Sequence, residues 1–234
     1  MKAVFATIVI HFSLIWQCFA QTLPQPVVCG SSYEMPKGYT GNQYYINSWL
    51  NGDVYKNTGE VVSNLRLRYN MFLDELIWYN CDTCFEEIVD KGLVRSFVLK
   101  PEGKPEFVFV KIRVKPDLLT DSAEVFAQQL YAGLIKCYAL RKSVIRGYTL
   151  MGSGGSGYIL ENLEPQPGYI LVLGKNQHVT FSRISKRKIL KALPTNLQQL
   201  ASQIIVEKNI RIHDELSLVQ FVKLLEEVLS KLHS

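Results

Sequence analysis

Histidine and cysteine are scarce, four and five among 234 residues. Beyond the first twenty residues only His178, His213 and His233 can act as imidazole bases, and no Gly-x-Ser-x-Gly elbow or cysteine-protease signature accompanies them. A structural zinc site asks for four cysteine or histidine ligands, often as two spaced pairs. Cys81 and Cys84 form one such pair and no second pair follows, so neither a metal nor another cofactor is expected. Excess charge is also small, 26 basic against 21 acidic residues. A nucleic-acid module carries a stronger basic bias with interleaved aromatics, which argues against that partner. After the N-terminus no apolar run reaches the roughly 20 residues of a transmembrane helix.

The N-terminus is where a long apolar run does occur. Lys2 precedes Val4 to Trp16, and Cys18-Phe19-Ala20 offers a cleavage site before Gln21. Residues 1–20 therefore read as a signal peptide, and the protein as exported, periplasmic or extracellular. A lipoprotein reading through Cys18 is disfavoured, because Trp16-Gln17 replaces the small residues that acylation wants. Removing residues 1–20 leaves 25 basic and 21 acidic residues. The excess lies at the end: residues 175–234 hold 10 basic and 5 acidic, with Lys186, Arg187, Lys188 and Lys191 clustered. A solvated helical face accounts for that cluster.

Residues 21–45, with Pro24, Pro26, Pro36 and several glycines, read as an extended lead-in. Residues 46–184 read as a β-rich domain. Val61 to Tyr69 alternates, placing Val61, Ser63, Leu65, Leu67 and Tyr69 on one face and Arg66 and Arg68 on the other. Hairpins are expected around Ala132-Gly133 and Lys175-Asn176-Gln177. Gly152 to Gly157, all glycine and serine, lacks the helix start and lysine of a phosphate loop and reads as a flexible connector. Residues 185–234 read as a helical subdomain. Ser185 caps a first helix and Asn196 a second, and Leu218, Phe221, Val222, Leu225, Val228, Leu229 and Leu232 stripe a third. The fold class is α+β, mostly antiparallel, with about three C-terminal helices.

The stretches "LNGDVY" (Leu50 to Tyr55), "LRYNMFLDELIW" (Leu67 to Trp78), "QQLYAGLIKCY" (Gln128 to Tyr138) and the end from "RKILKALP" to "LVQFVKLLEEV" carry a resemblance. In pattern and order they resemble a family of uncharacterised exported proteins of Bacteroidota-type bacteria. That resemblance covers most of the mature chain and implies a signal peptide, a β-rich body and terminal helices. It transfers no functional residue.

Cys81-Asp82-Thr83-Cys84 is the most chemically pointed motif. A redox pair of the thioredoxin type sits at a helix start, whereas Leu76 to Tyr79 and Phe85 to Ile88 are β-type flanks. Asp82, Glu86 and Glu87 oppose thiolate formation. The spacing is read as a Cys81–Cys84 disulfide closing a hairpin tip. Cys29 with Cys137 is the companion pairing, among the three that four mature cysteines allow. The carboxylate neighbours Asp74-Glu75 and Glu86-Glu87 point to opposite faces of a strand, so neither pair alone makes a hydrolase site. Solvent-facing carboxylates are the expectation. The leading function is a non-enzymatic exported protein, binding or structural, with an envelope protein or glycan as partner. The alternative is an exported enzyme, either a thiol oxidoreductase using Cys81 and Cys84 or a carboxylate-dependent hydrolase.

Overall fold

The structure, a computed structural model, describes residues 28–114, 124–152, 157–174 and 177–232. The signal segment, Cys18 and His233 fall outside these residues. The chain is β-rich, mostly antiparallel, and ends in three helices, the α+β class expected from sequence. Two strands come from the lead-in, β1 (Cys29–Ser32) and β2 (Tyr39–Gly41). The body supplies β3 (Leu50–Lys56), β4 (Val61–Asn70), β5 (Glu75–Asn80), β6 (Phe85–Val89), β7 (Val94–Lys100), β8 (Phe107–Arg113), β9 (Glu124–Ala132) and β10 (Lys136–Leu140). Then follow β11 (Ser143–Met151), β12 (Tyr158–Pro165), β13 (Gly168–Val172) and β14 (His178–Phe181). The helices are α1 (Lys186–Ala192), α2 (Thr195–Glu207) and α3 (Glu215–Leu232).

Eleven strands make one antiparallel sheet in the order β1-β6-β5-β4-β3-β7-β8-β9-β10-β13-β14, and β11-β12-β2 make a small second sheet. If the large sheet were flat, β4 and β9 would stand four strand spacings apart, about 19 Å. Instead the Tyr69 hydroxyl donates to Phe126 O at 3.5 Å, and Phe126 N–H donates to the Asp74 carboxylate at 3.2 Å. The sheet therefore curls around an aromatic core of Tyr69, Phe97, Phe109 and Phe126, in which Phe97 and Phe109 stack at 4.7 Å. The short β6–β7 connection crosses the open side of the curl. There Lys91 reaches the Asp74 carboxylate, and its own carbonyl accepts from Lys111 Nζ at 2.9 Å.

The alternation expected along β4 holds only in its second half. Leu65, Leu67 and Tyr69 are buried, but Val61 and Ser63 are exposed and Val62 takes the inward place. The cause is a bulge at Asn64, whose φ of 61° is left-handed and shifts the two-residue period by one. Asp53 fastens it, accepting from Asn64 N–H at 3.1 Å and from Lys100 Nζ at 2.5 Å.

Ser185 caps α1 as expected, accepting from Lys188 N–H. The second helix starts earlier than the Asn196 cap implied: Pro194 is the N-cap, with no side-chain cap bond. Proline is well suited to a helix entry because it has no N–H to leave unsatisfied. The three helices share a core with the sheet. Leu218, Phe221, Val222 and Leu225 of α3 pack with Cys137, Ala139, Tyr169, Leu171 and Phe181, so the helical segment covers the sheet's β9-to-β14 half. Glu226 pins α3 there, accepting from Ile135 N–H at 2.9 Å and the Tyr131 hydroxyl at 3.2 Å. Among the described residues no helix is long and apolar enough to cross a membrane.

The segment from residue 143 to 165 forms an arm: the strands on either side of the glycine-serine run pair with each other, with Met151 opposite Tyr158 and Leu150 opposite Ile159. Residues 153–156 themselves lie outside the described set. At the base of this arm β2 pairs in parallel with β12. That approach needs Gly41, since a Cβ there would lie 2.3 Å from Leu163 O.

Candidate functional site

Cys81 and Cys84 stand together at the β5–β6 turn, exposed, as the hairpin reading requires. Asn80 builds the turn by accepting from Asp82 N–H at 3.0 Å and Thr83 N–H at 3.4 Å. Both residues carry free thiols here: Cys84 Sγ lies 3.7 Å from Cys81 O, and Cys81 Sγ 3.9 Å from Tyr79 O. Cys29 lies in β1 at one edge of the sheet, opposite Val89. Cys137 lies in β10, fully buried under the helices, where burial and then the Glu215 charge push its thiol up to about 12.

The carboxylates take structural roles, and one overturns the solvent-face expectation. Asp74 is largely enclosed, holding Tyr69, Phe126 and Lys91 at once across the curl. Burial raises its carboxyl above the ordinary range despite Lys91 and these donors. Its neighbour Glu75 is also raised, by burial, and Glu75 Oε2 has no hydrogen-bond partner among the described residues. Asp74 and Glu75 both line a cavity of about 370 Å³ beside Asp90 and Lys91, while Asp74 Oδ1 is taken up by the Tyr69 hydroxyl and Phe126 N–H. Glu86 pairs with Arg68 at 3.1 Å, Glu87 accepts from Asn80 at 3.0 Å, and Glu124 lies beside Lys111 and Arg113.

Outside the β4–β5 surface runs a cation–aromatic stack. Arg66 lies over Tyr79 at 4.9 Å, Tyr79 meets Trp49 at 5.7 Å, and Arg68 is held between Trp49 at 4.4 Å and Tyr44 at 4.0 Å. Arg66 and Arg68 are thus both held against rings of the same chain, and the stack braces this face of the sheet.

A cavity of about 660 Å³ opens where the arm's base meets β13, the segment after β14 and the start of α3. Arg146 and Arg183 stand on its walls with Glu164, His213 and Asp214. Its floor is a closed network. Glu215 takes Arg141 in a two-pronged pair at 2.6 and 2.7 Å and the Tyr169 hydroxyl at 3.0 Å. Arg141 Nε then donates to Gln128 at 2.7 Å, which also accepts from Tyr45 at 3.1 Å. Asp214 caps α3 through Ser217, whose hydrogen bonds hold its carboxyl below the ordinary range. His213 is exposed at the rim, its Nδ1 2.8 Å from Arg211 O, and His178 sits at the start of β14. Among the described residues no three metal-ligating side chains converge.

Above this cleft rises the feature that sequence reasoning missed. On β11 and β12 the large apolar side chains face solvent: Leu150 is 72% exposed, Tyr148 68%, Ile159 64% and Tyr158 58%. Ile145 and Met151 add 41% and 43%. Strand register puts Tyr148, Leu150 and Ile159 on one face and Met151 and Tyr158 on the other, so the arm is apolar on both sides. The alternating Tyr148, Leu150 pattern before the glycine-serine run was the available signal.

No family profile, curated protein or solved structure matches the chain.

Proposed function

We propose that the protein is an exported, non-enzymatic interaction protein of the cell envelope, belonging with the Bacteroidota-type proteins it resembles, and that its contact surface is the β11–β12 arm. The single observation that carries this reading is the arm's six exposed apolar side chains on one hairpin. Soluble monomers rarely leave a contiguous apolar patch of more than a few hundred Å² in water, and larger ones mark interaction sites. Export rests on Lys2, the apolar run to Trp16 and the small residues before Gln21. In an oxidising compartment Cys81 and Cys84 close into a bridge that tightens the β5–β6 turn.

A photo-crosslinking residue placed at Tyr148 tests the contact surface in intact cells. Adducts to an envelope component are expected there and not from the same probe at Leu134, an exposed leucine in the β9–β10 turn. Equal labelling at both positions, or none in a folded protein, overturns the reading. Insulin reduction that disappears on Cys81→Ser would instead establish the oxidoreductase alternative.

A further inference from the structure

We infer that the outer edge of β11 is a self-association edge, to which a second copy adds its own β11 antiparallel, about a twofold axis at Thr149. This rests on reading the arm as a contact surface and names what covers it. β11 pairs with β12 on one side, and among the described residues nothing pairs with its other side. Sheet edges invite pairing, and proteins blunt them with short strands, charges or proline. The remaining edge strands are short: β1 and β14 have four residues and β2 three. β11 has nine, and its outer stretch Tyr148-Thr149-Leu150-Met151 holds no charge and no proline.

Apolar side chains on both faces point to strand addition. A partner docked against one face leaves the other in water, whereas an added strand sets its side chains beside both rows. A bilayer is a poor occupant, because the unpaired edge of β11 would carry its backbone polar groups into hydrocarbon. A second copy fits the strand's own sequence. With Thr149 on the axis, Tyr148 of each copy lies opposite Leu150 of the other, giving two aromatic–aliphatic cross-strand pairs around a Thr–Thr pair. The two Arg146 side chains then fall six residues apart along the ribbon, about 20 Å, so like charges do not meet. The exposed apolar side chains of the arm offer at most roughly 700 Å² per copy, just under the ≈ 800 Å² per partner of a standard interface.

Sedimentation equilibrium of the full exported protein, with hydrogen exchange of residues 144–151 at low and high concentration, tests this. A reversible monomer–dimer equilibrium is expected, with exchange in β11 slowing as dimer forms. Leu150→Lys and Tyr148→Glu should each weaken it at least tenfold. The two together should restore it, because the register sets position 148 of one copy opposite position 150 of the other. Leu134→Lys should leave it unchanged. A monomer at every concentration, a dimer indifferent to Leu150→Lys, or a double variant no better than the singles overturns the inference. A monomer whose Tyr148 probe still crosslinks another envelope protein sinks the dimer and keeps the arm; no crosslink at all sinks both.

Discussion

Asn70 and Asn80 each close a four-residue turn by the same device, ten residues apart. Each follows a tyrosine, and each side-chain oxygen accepts from the two backbone N–H groups beyond the next residue. Each turn ends on a non-glycine residue in the left-handed region, Asp74 at φ 56° and Cys84 at φ 58°. In each, the tyrosine sits beside that last residue: the Tyr69 hydroxyl donates to Asp74 at 2.7 Å, and the Cys84 sulfur raises the Tyr79 phenol. The environments differ. The first turn is folded into the curl, where Asp74 meets Phe126 and Lys91; the second stands at the surface with both its cysteines exposed. One backbone solution thus serves as a staple in one place and as an exposed thiol platform in the other.

The sharpest way to break that comparison is to remove the last side chain of each turn. Asp74→Ala leaves Phe126 N–H, the Tyr69 hydroxyl and Lys91 without their acceptor. Breaking a fully buried charged pair from one side costs about 3–5 kcal/mol, and with Lys91 35% exposed a loss near the lower end is expected. Cys84→Ala, in reduced protein, should stay within about 0.5 kcal/mol, as exposed substitutions do. Urea denaturation of both variants measures the contrast, and equal losses would mean the turns are not differently used.

Next in size is the asparagine itself. Asn70 is fully buried, and its amide also donates to Tyr33 at 3.0 Å. Asn80 donates instead to the half-exposed Glu87. Orphaning buried hydrogen-bond groups costs about 1–3 kcal/mol, so Asn70→Ala should fall near the top of that range and Asn80→Ala near the bottom. The same denaturation experiment ranks them.

A third contrast is in pH. Burial raises the Asp74 carboxyl, against the lowering by Lys91, Tyr69 and Phe126. Between the ordinary carboxyl value near 4 and the raised native one, the folded chain holds more protons than the unfolded. The stability from this group is therefore fully present below the unfolded value and is lost as pH rises through the native one. Asp74→Asn should remove that slope, so wild-type stability minus that of the variant falls as pH rises across the window. Substitution of Cys84 should leave the slope intact.

These turns also explain what the sequence made legible. The α3 stripe was readable because Leu218, Phe221, Val222 and Leu225 recur at helical spacing and are the residues the core takes. The β4 pattern was readable only from Leu65 onward, since the left-handed backbone at Asn64 moves the period without any glycine to announce it. Asp74 hides its turn in the same way, whereas the Cys81–Cys84 turn was legible as a hairpin tip from its β-type flanks. Asp74 read as a surface acid because two of its partners, Lys91 and Phe126, lie 17 and 52 residues further along the chain. The arm went unread for the opposite reason: Tyr148, Leu150 and Ile159 alternate without a buried face, so nothing within the β-rich stretch marked these strands as exposed on both sides.

The smallest effect turns on sign. A non-glycine residue in the left-handed region costs roughly 1–2 kcal/mol relative to glycine's freedom there. At Cys84, where the side chain is exposed, Cys84→Gly should recover up to about 1 kcal/mol in reduced protein, a rise of roughly 2–4 °C in melting temperature. The reduced state matters, since oxidised protein would lose the Cys81–Cys84 bridge along with the strain. At Asp74 the same relief is available, but the carboxylate that closes the curl goes with it, and Asp74→Gly should lower the melting temperature. Identical replacements in identical turn positions should therefore move stability in opposite directions. A loss at both positions would mean that Cys84, too, makes a contact the fold depends on.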